Sequence, residues 1–96
     1  MQIKADVRLL TYSDGGRKGP MASGYRCDIR FANDENNAFG SCLHMEADEL
    51  EPGGKATVTI TPLFSQSFGN RAVGETFRML EGNRVIGIGK IRNVTN

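Results

Sequence analysis

Apolar and polar residues alternate along much of this chain, which is the pattern of β-strands that bury one face. The alternation is clearest in residues 24–31 and 55–63. No long stretch shows the 3.6-residue period of an amphipathic helix. The positions predicted to face a core are Tyr25, Cys27, Ile29 and Phe31 in the first segment and Ala56, Val58 and Ile60 in the second.

Short strands separated by turn-forming residues predict an all-β barrel or sandwich. We expect strands over residues 3–12, 24–31, 39–45 and 55–63 and over the two arms of residues 76–94. Polar connections are expected at residues 13–20, 32–38, 46–54 and 65–75. Within them, residues 46–51 form an acidic connection for which a single helical turn is left open.

Residues 76–94 are predicted to form the closing β-hairpin. Its turn is Glu81-Gly82-Asn83-Arg84, and glycine and asparagine both tolerate the positive φ that two-residue hairpin turns require. The second arm carries Gly87 and Gly89 on one strand face. Glycine inside a strand marks a bend or a close approach of another backbone, so the pair favours a small closed barrel. An ordinary curved hairpin is the alternative.

The net charge of +1 hides an uneven distribution along the 96 residues. Residues 1–31 carry an excess of three positive charges, residues 32–54 carry six acids and no lysine or arginine, and residues 55–96 carry an excess of four positive charges. Such polarity can steer a charged partner, with a solvated surface as the alternative. The length predicts one domain, residues 1–96, with one small core.

The sequence lacks the patterns of common catalytic and cofactor sites, and we expect no enzyme and no nucleotide cofactor. The glycine-rich segment 15–19 precedes a strand rather than a helix, so it lacks the helix N-terminus that binds phosphate. His44 has no obvious nucleophile or orienting acid, and it is interpreted as a histidine of the sheet. The acids of residues 46–51 are interpreted as a solvated or partner-facing edge.

The two cysteines, Cys27 and Cys42, do not have the spacing of a metal site, and no metal is expected. A disulfide between them is left open. No apolar run is long enough to span a membrane, and the first residues lack the apolar region of a signal peptide. We therefore expect a cytoplasmic protein with reduced thiols and no membrane partner.

Loop tips, rather than a pocket, are the expected binding surface. Arg17 and Lys18 lie in the glycine-rich loop, and Arg26 follows in the next predicted strand. Arginine forks and free backbone amides suit phosphate oxygens, with a turn that carries a solubilising charge as the alternative. The hairpin tip contributes Glu81, Gly82, Asn83 and Arg84 to this expected site.

Three motifs occur along the chain in a fixed order. They are Gly15-Gly16-Arg17 with Pro20 and then Gly24-Tyr25-Arg26; Pro52-Gly53 before an alternating strand; and the hairpin with Phe77, Glu81-Gly82, Arg84, Gly87 and Gly89. Together they resemble the C-terminal β-barrel, the third domain, of the elongation factor Tu family of translation factors. The likeness spans about residues 7–94. It implies a six-stranded antiparallel Greek-key barrel of the translation-factor type.

In that family the barrel contacts the T-stem backbone of aminoacyl-tRNA, packs against the GTPase domain and meets the nucleotide-exchange partner. The resemblance implies that Arg17, Lys18, Glu81 and Gly82 are the matching RNA-facing positions. The chain holds neither the GTPase domain nor the second barrel. We therefore expect a stand-alone, non-enzymatic module that binds tRNA, other structured RNA or a protein of the translation apparatus.

A second hypothesis is a protein-interaction factor that antagonises or neutralises a partner of the elongation factor. It would act through the acidic edge at residues 46–51 or through the loop at residues 63–75. The residues expected to contact a partner in that loop are Phe64, Phe68 and Arg71. A third hypothesis is that the chain is a domain cut from a larger factor, against which the initial methionine argues mildly.

Overall fold

The computed structural model describes residues 1–64 and 68–95, which form strands and turns with one short 3-10 helix. Part of the predicted loop over residues 65–75 lies outside the described residues, at 65–67. Within the described ranges, no helix has the length and apolar character needed to cross a membrane. The elements are β1 (Gln2–Leu9), the 3-10 helix Tyr12–Asp14, β2 (Met21–Ala22), β3 (Tyr25–Phe31), β4 (Phe39–His44), β5 (Glu49–Leu50), β6 (Lys55–Pro62), β7 (Thr76–Glu81) and β8 (Arg84–Thr95).

Six strands close into an antiparallel barrel in the order β1-β6-β4-β3-β7-β8, and β8 pairs again with β1. The strands β3, β4 and β6 are successive neighbours, and β7 returns to lie beside β3. This order of four antiparallel strands is a Greek key. The predicted all-β fold with a closed six-stranded barrel is therefore confirmed.

The barrel has two ends that carry different connections. At what we call the upper end lie the segment between β1 and β3, the segment between β4 and β6, and the tip of the β7–β8 hairpin. At the lower end lie residues 32–38, which join β3 to β4, and the described parts of the connection from β6 to β7, residues 63–64 and 68–75. The short strands β2 and β5 pair with each other at the upper end and tie two of its connections together.

Apolar side chains on the predicted faces fill the barrel. Cys27, Ile29, Phe31, Val58 and Ile60 are buried. Tyr25 and Ala56 are partly buried and pack against the same core. The alternation read from the sequence therefore identified the inward faces of β3 and β6 correctly.

The two glycines of β8 make room for large side chains of β7. Gly89 lies opposite Phe77, and a Cβ at Gly89 would overlap the ring of that phenylalanine. A Cβ at Gly87 would lie 2.9 Å from the sulfur of Met79 and 3.0 Å from the carbonyl oxygen of Arg8. The expected close approach is present, and most of it is made by side chains rather than by another backbone.

Local details differ from the sequence prediction at three places. Residues 46–48 form a bend and Glu49–Leu50 a short strand, so no helical turn is present there. The first strand ends at Leu9, because Thr11 caps the 3-10 helix by accepting a hydrogen bond from the amide of Asp14. At the hairpin tip only Gly82 has a positive φ, of 62°, since all positive-φ residues in the described ranges are glycines.

Candidate binding site at the upper end

Arg17, Tyr25 and Glu81 join three separate segments at the upper end of the barrel. The guanidinium of Arg17 lies 4.7 Å from the centroid of the Tyr25 ring, and its Nη1 lies 2.8 Å from Oε2 of Glu81. The hydroxyl of Tyr25 donates a hydrogen bond to the same carboxylate oxygen. The loop after β1, the start of β3 and the hairpin tip are thereby held against one another.

The loop that carries Arg17 is itself tightly folded. Gly15 ends the 3-10 helix with a φ of 95°, which favours glycine. A Cβ at Gly16 would overlap the carbonyl of Leu10. Arg17 also donates from Nη2 to the carbonyl of Pro20 at 3.1 Å and from Nε to that of Gly19 at 3.4 Å. The Gly-Gly-Arg sequence therefore has a structural role in shaping this loop.

These contacts leave Arg17 little capacity for a ligand. Its side chain is 23% exposed, and its donors face Glu81 and two backbone carbonyls. Burial, together with the hydrogen bond to the Glu81 carboxylate and the negative charge of that group, raises the pKa of Tyr25 to about 12. Arg17 thus positions the loop, while Lys18 beside it faces solvent.

The remaining predicted site residues are exposed at or beside this end. Lys18 lies with its ammonium 5.3 Å from the ring of Tyr12, which is itself 56% exposed. Arg26 lies on the outer face of β3, opposite Cys42 of β4. The three remaining hairpin residues, Gly82, Asn83 and Arg84, are exposed at the tip. The structure therefore brings the two predicted loop tips together through Arg17 and Glu81.

The acidic edge shares the upper end with these basic residues. The amide of Ser23 donates to the carbonyl of Asp48, and β2 pairs with β5, so residues 46–51 are attached to the loop that precedes β3. Its four acids make no ion pair with any described residue, and all are exposed: Glu46, Asp48, Glu49 and Glu51. The upper end therefore presents charges of both signs rather than a uniformly basic surface.

Two of the three loop residues proposed to contact a protein partner lie inside the fold. Phe68 is fully buried, and its ring stands edge-on to that of Phe31 at 5.3 Å between centroids. Arg71 covers the other side of Phe31, with its guanidinium carbon 3.8 Å from the ring centroid. Phe64 is 77% exposed. Phe68 and Arg71 thus close the lower end of the barrel and are not presented to solvent.

Cys42 and His44 form a pair that the sequence reasoning did not anticipate. Both lie on the outer face of β4, and the Cys42 sulfur is 3.3 Å from Nε2 of His44. Their spacing of two residues within a strand is the signal that predicts such a contact. No third histidine, cysteine or acid joins them, and no group of three or more such side chains fit for a metal is found in residues 1–64 and 68–95.

The question of a disulfide between Cys27 and Cys42 is answered by the register of β3 and β4. Cys27 is buried and points into the barrel, whereas Cys42 is on the outer face, and both are free. Burial raises the pKa of the Cys27 thiol to about 12. The thiolate is the reactive form of cysteine, and burial disfavours that form of Cys27.

No protein-family model matches this chain, and no curated protein matches it. The resemblance to the elongation factor Tu barrel therefore stays a prediction from the motif residues. Four of those residues, Arg17, Pro20, Tyr25 and Glu81, meet in one cluster, and Gly16 packs against Leu10 in the loop that carries Arg17. Their role in this structure is to join the first loop to the hairpin.

Proposed function

We propose that this chain is a non-catalytic module that binds structured RNA through the loop tips at the upper end of its barrel. The observation that carries the proposal is the set of contacts among Arg17, Tyr25 and Glu81. They fix the first loop against the hairpin, so that Lys18 and Arg84 extend from restrained loops rather than from mobile ones. Restrained donors lose less entropy when they bind.

Each exposed residue has a role that suits a phosphate backbone. Lys18, Arg26 and Arg84 supply positive charges, and the tip at Gly82 and Asn83 offers backbone amides to phosphate oxygens. Arg17 acts indirectly by holding the loop. The resemblance to the third domain of elongation factor Tu makes tRNA the first RNA to examine. A cytoplasmic location is part of the proposal, and the two free cysteines support it.

A gel-shift measurement with purified tRNA at low salt tests this proposal. We expect a complex whose affinity falls steeply with salt, with a slope of about −2 to −3 on logarithmic axes if three cations contact phosphates. Replacing both Lys18 and Arg84 with alanine should weaken binding about tenfold or more and reduce the slope by about two. The control is Lys4→Ala, which removes an exposed charge from β1 nearer the lower end. Absence of a complex at low salt would reject RNA as the ligand.

A protein partner is the second candidate, and the acidic edge favours it. The four exposed acids of residues 46–51 make no ion pair within the described part of the chain. A basic surface on a partner would complement them. Replacing Glu46 and Glu49 with glutamine would then abolish recovery of one partner from lysate. RNA binding, if present, should become tighter in the same variant because phosphate repulsion is reduced.

A further inference from the structure

The pairing of strands far apart in sequence creates a row of basic side chains on the outer surface of the barrel. Arg8 of β1 lies opposite Lys55 of β6 on one side and Ile88 of β8 on the other. Arg78 of β7 lies opposite Ile88 and, on its other side, opposite Arg30 of β3. Four cations therefore flank one isoleucine across five neighbouring strands.

A groove runs beside this row. Its floor is the backbone of the row Ala56, Val7, Gly89 and Phe77. The side chains of Ala56, Val7 and Phe77 point into the barrel, and Gly89 has none. The second wall is the next row of outward residues, Asp6, Lys90 and Thr76. Cavities of about 420 and 250 Å³ adjoin along it and share Thr76, Ile88 and Gly89. We call this continuous feature the basic groove.

Positive charge in the basic groove is only partly compensated. Like charges directly opposite each other in a sheet are destabilising, and Arg8 with Lys55 and Arg30 with Arg78 are two such pairs. Among the described residues, Arg8, Lys55 and Lys90 make no ion pair. The Nε of Arg30 is buried without a hydrogen-bond acceptor in the same part of the chain. Five cations of the groove therefore favour an anionic ligand.

Two carboxylates that line the groove, Asp6 and Glu35, do not neutralise it. Asp6 accepts a hydrogen bond from Thr57 at 2.9 Å. It also lies 3.6 Å from Nε of Arg92, a residue that does not line the groove. Glu35 lies 3.7 Å from Arg78, and both side chains are more than half exposed. Exposed pairs of this kind are weak and are readily exchanged for another anion.

The apolar part of the groove favours an acidic peptide over a nucleic acid as its ligand. Ile88 is 40% exposed at the middle of the basic row, where it meets the apolar floor. Single-stranded nucleic acids gain much of their affinity by stacking bases on aromatic faces, and Phe77, the aromatic side chain among the described residues that line the groove, is only 3% exposed. An apolar side chain on an acidic peptide would instead cover Ile88 and place carboxylates against the flanking cations.

We propose that the basic groove binds an extended acidic segment of a partner protein, with one apolar side chain of that segment packed on Ile88. Five strands are separated by four spacings of about 4.8 Å, so the groove follows about 19 Å of the curved barrel wall. An extended peptide rises about 3.3 Å per residue, so about six residues would fill it. This site lies on the barrel wall and does not depend on the RNA-binding proposal for the upper end.

Fluorescence anisotropy with defined probes tests the inference. The ligand is a fluorescein-labelled peptide of sequence Glu-Asp-Glu-Leu-Asp-Glu. The control peptide has serine in place of leucine. Labelled oligouridylate is the third probe. We expect the leucine peptide to bind about three- to tenfold more tightly than the serine peptide, because only the former covers Ile88.

Charge reversal on one strand supplies a matched pair of variants. Arg8→Glu should weaken the leucine peptide about tenfold or more, whereas Lys4→Glu, on the same outer face of β1 and outside the groove, should not. Arg78→Glu, at a side chain that is 54% exposed, is the second variant should Arg8→Glu fail to fold. Ile88→Ser should remove the preference for leucine over serine while leaving the serine peptide unaffected.

Three results would overturn the inference. The first is equal affinity for the leucine and serine peptides, since the apolar contact would then be absent. The second is equal loss of binding in Lys4→Glu and Arg8→Glu, which would indicate general charge attraction. The third is tighter binding of oligouridylate that requires Arg8, which would make the groove a nucleic-acid site. Failure of tRNA to bind the protein would leave the peptide result unaffected.

Discussion

An arginine stacked on an aromatic ring and paired with a glutamate is found at each end of the barrel, and the two clusters differ in burial. At the lower end, Arg71 lies 3.8 Å from the Phe31 ring centroid and 3.3 Å from Glu75, and its side chain is 9% exposed. At the upper end, Arg17 lies 4.7 Å from Tyr25 and 2.8 Å from Glu81, and these charged side chains are 23% and 41% exposed.

The same chemistry therefore performs different tasks. Arg71 donates to the carbonyl of Phe68 at 2.6 Å and to Asn33 at 2.9 Å, so it covers the core where Phe68 fills the lower end. Water competes poorly with a buried charged hydrogen bond, so removing one partner there is costly. At the upper end water screens the Arg17–Glu81 pair, and its main effect is to restrain a loop.

The largest effect is expected from Arg71→Ala, which removes the cation paired with Glu75 and the side-chain donor to the Phe68 carbonyl. We expect the free energy of unfolding to fall by about 3 kcal/mol in urea titrations. Arg71→Lys should restore little of it, because an ammonium lacks the flat fork that stacks on Phe31. The matched control, Arg78→Ala, removes an exposed charge and should cost less than about 0.5 kcal/mol. If Arg71→Ala lowered the free energy of unfolding no more than Arg17→Ala does, burial would not distinguish the two ends.

A smaller effect is expected from alkaline titration near the upper end. The folded state raises the pKa of Cys27 from 9.0 and that of Tyr25 from 10.0, both to about 12. The stability from these groups is complete below the unfolded values and is lost as pH rises towards the folded ones, because the unfolded chain releases its protons first. For Cys27 the loss should reach about 2 kcal/mol by about pH 10.5.

Urea titrations across this pH range measure that loss. Cys27→Ala should flatten the fall of stability between about pH 9 and 12, and Tyr25→Phe should flatten its upper part. Cys42→Ala is the control on the outer face of the neighbouring strand. An unchanged slope in Cys27→Ala would show that this thiol does not limit alkaline stability.

The smallest effect is expected from the exposed pair itself. Arg17→Ala and Glu81→Gln should each cost about 1 kcal/mol, with a coupling between them of about 0.5 kcal/mol. The coupling should shrink at high salt, because screening weakens partly exposed pairs. A double-mutant cycle by urea unfolding measures it. The same cycle for Arg71 and Glu75 gives the reference. Equal coupling energies for the two pairs would contradict the difference between the two ends.

Much of the barrel was predictable because strand alternation is a local property. The buried face of β3, with Cys27, Ile29 and Phe31, follows from residue spacing alone. The glycine pair at Gly87 and Gly89 correctly indicated a close approach. The two-residue strands β2 and β5 were missed because so short a segment contains no period to detect.

The site was less predictable, since it depends on contacts between distant segments. The sequence identified Arg17 and Glu81 as residues of two loop tips, and their mutual ion pair came from the structure. Phe68 was expected to contact a partner because it lies in the predicted loop at residues 63–75, yet its ring is buried at the lower end of the barrel, where it packs on Phe31. The contact between Cys42 and His44 could have been found from their spacing in β4.

By itself, the sequence determined the apolar sides of β3 and β6, because alternation is imposed by the geometry of one extended chain. The tertiary structure alone decided which outward residues become neighbours. Arg8 faces Lys55, and Arg78 faces Arg30, only because β1 pairs with β6 and β7 with β3. Registers between strands far apart along the chain are set by the closure of the whole barrel, and no local pattern encodes them.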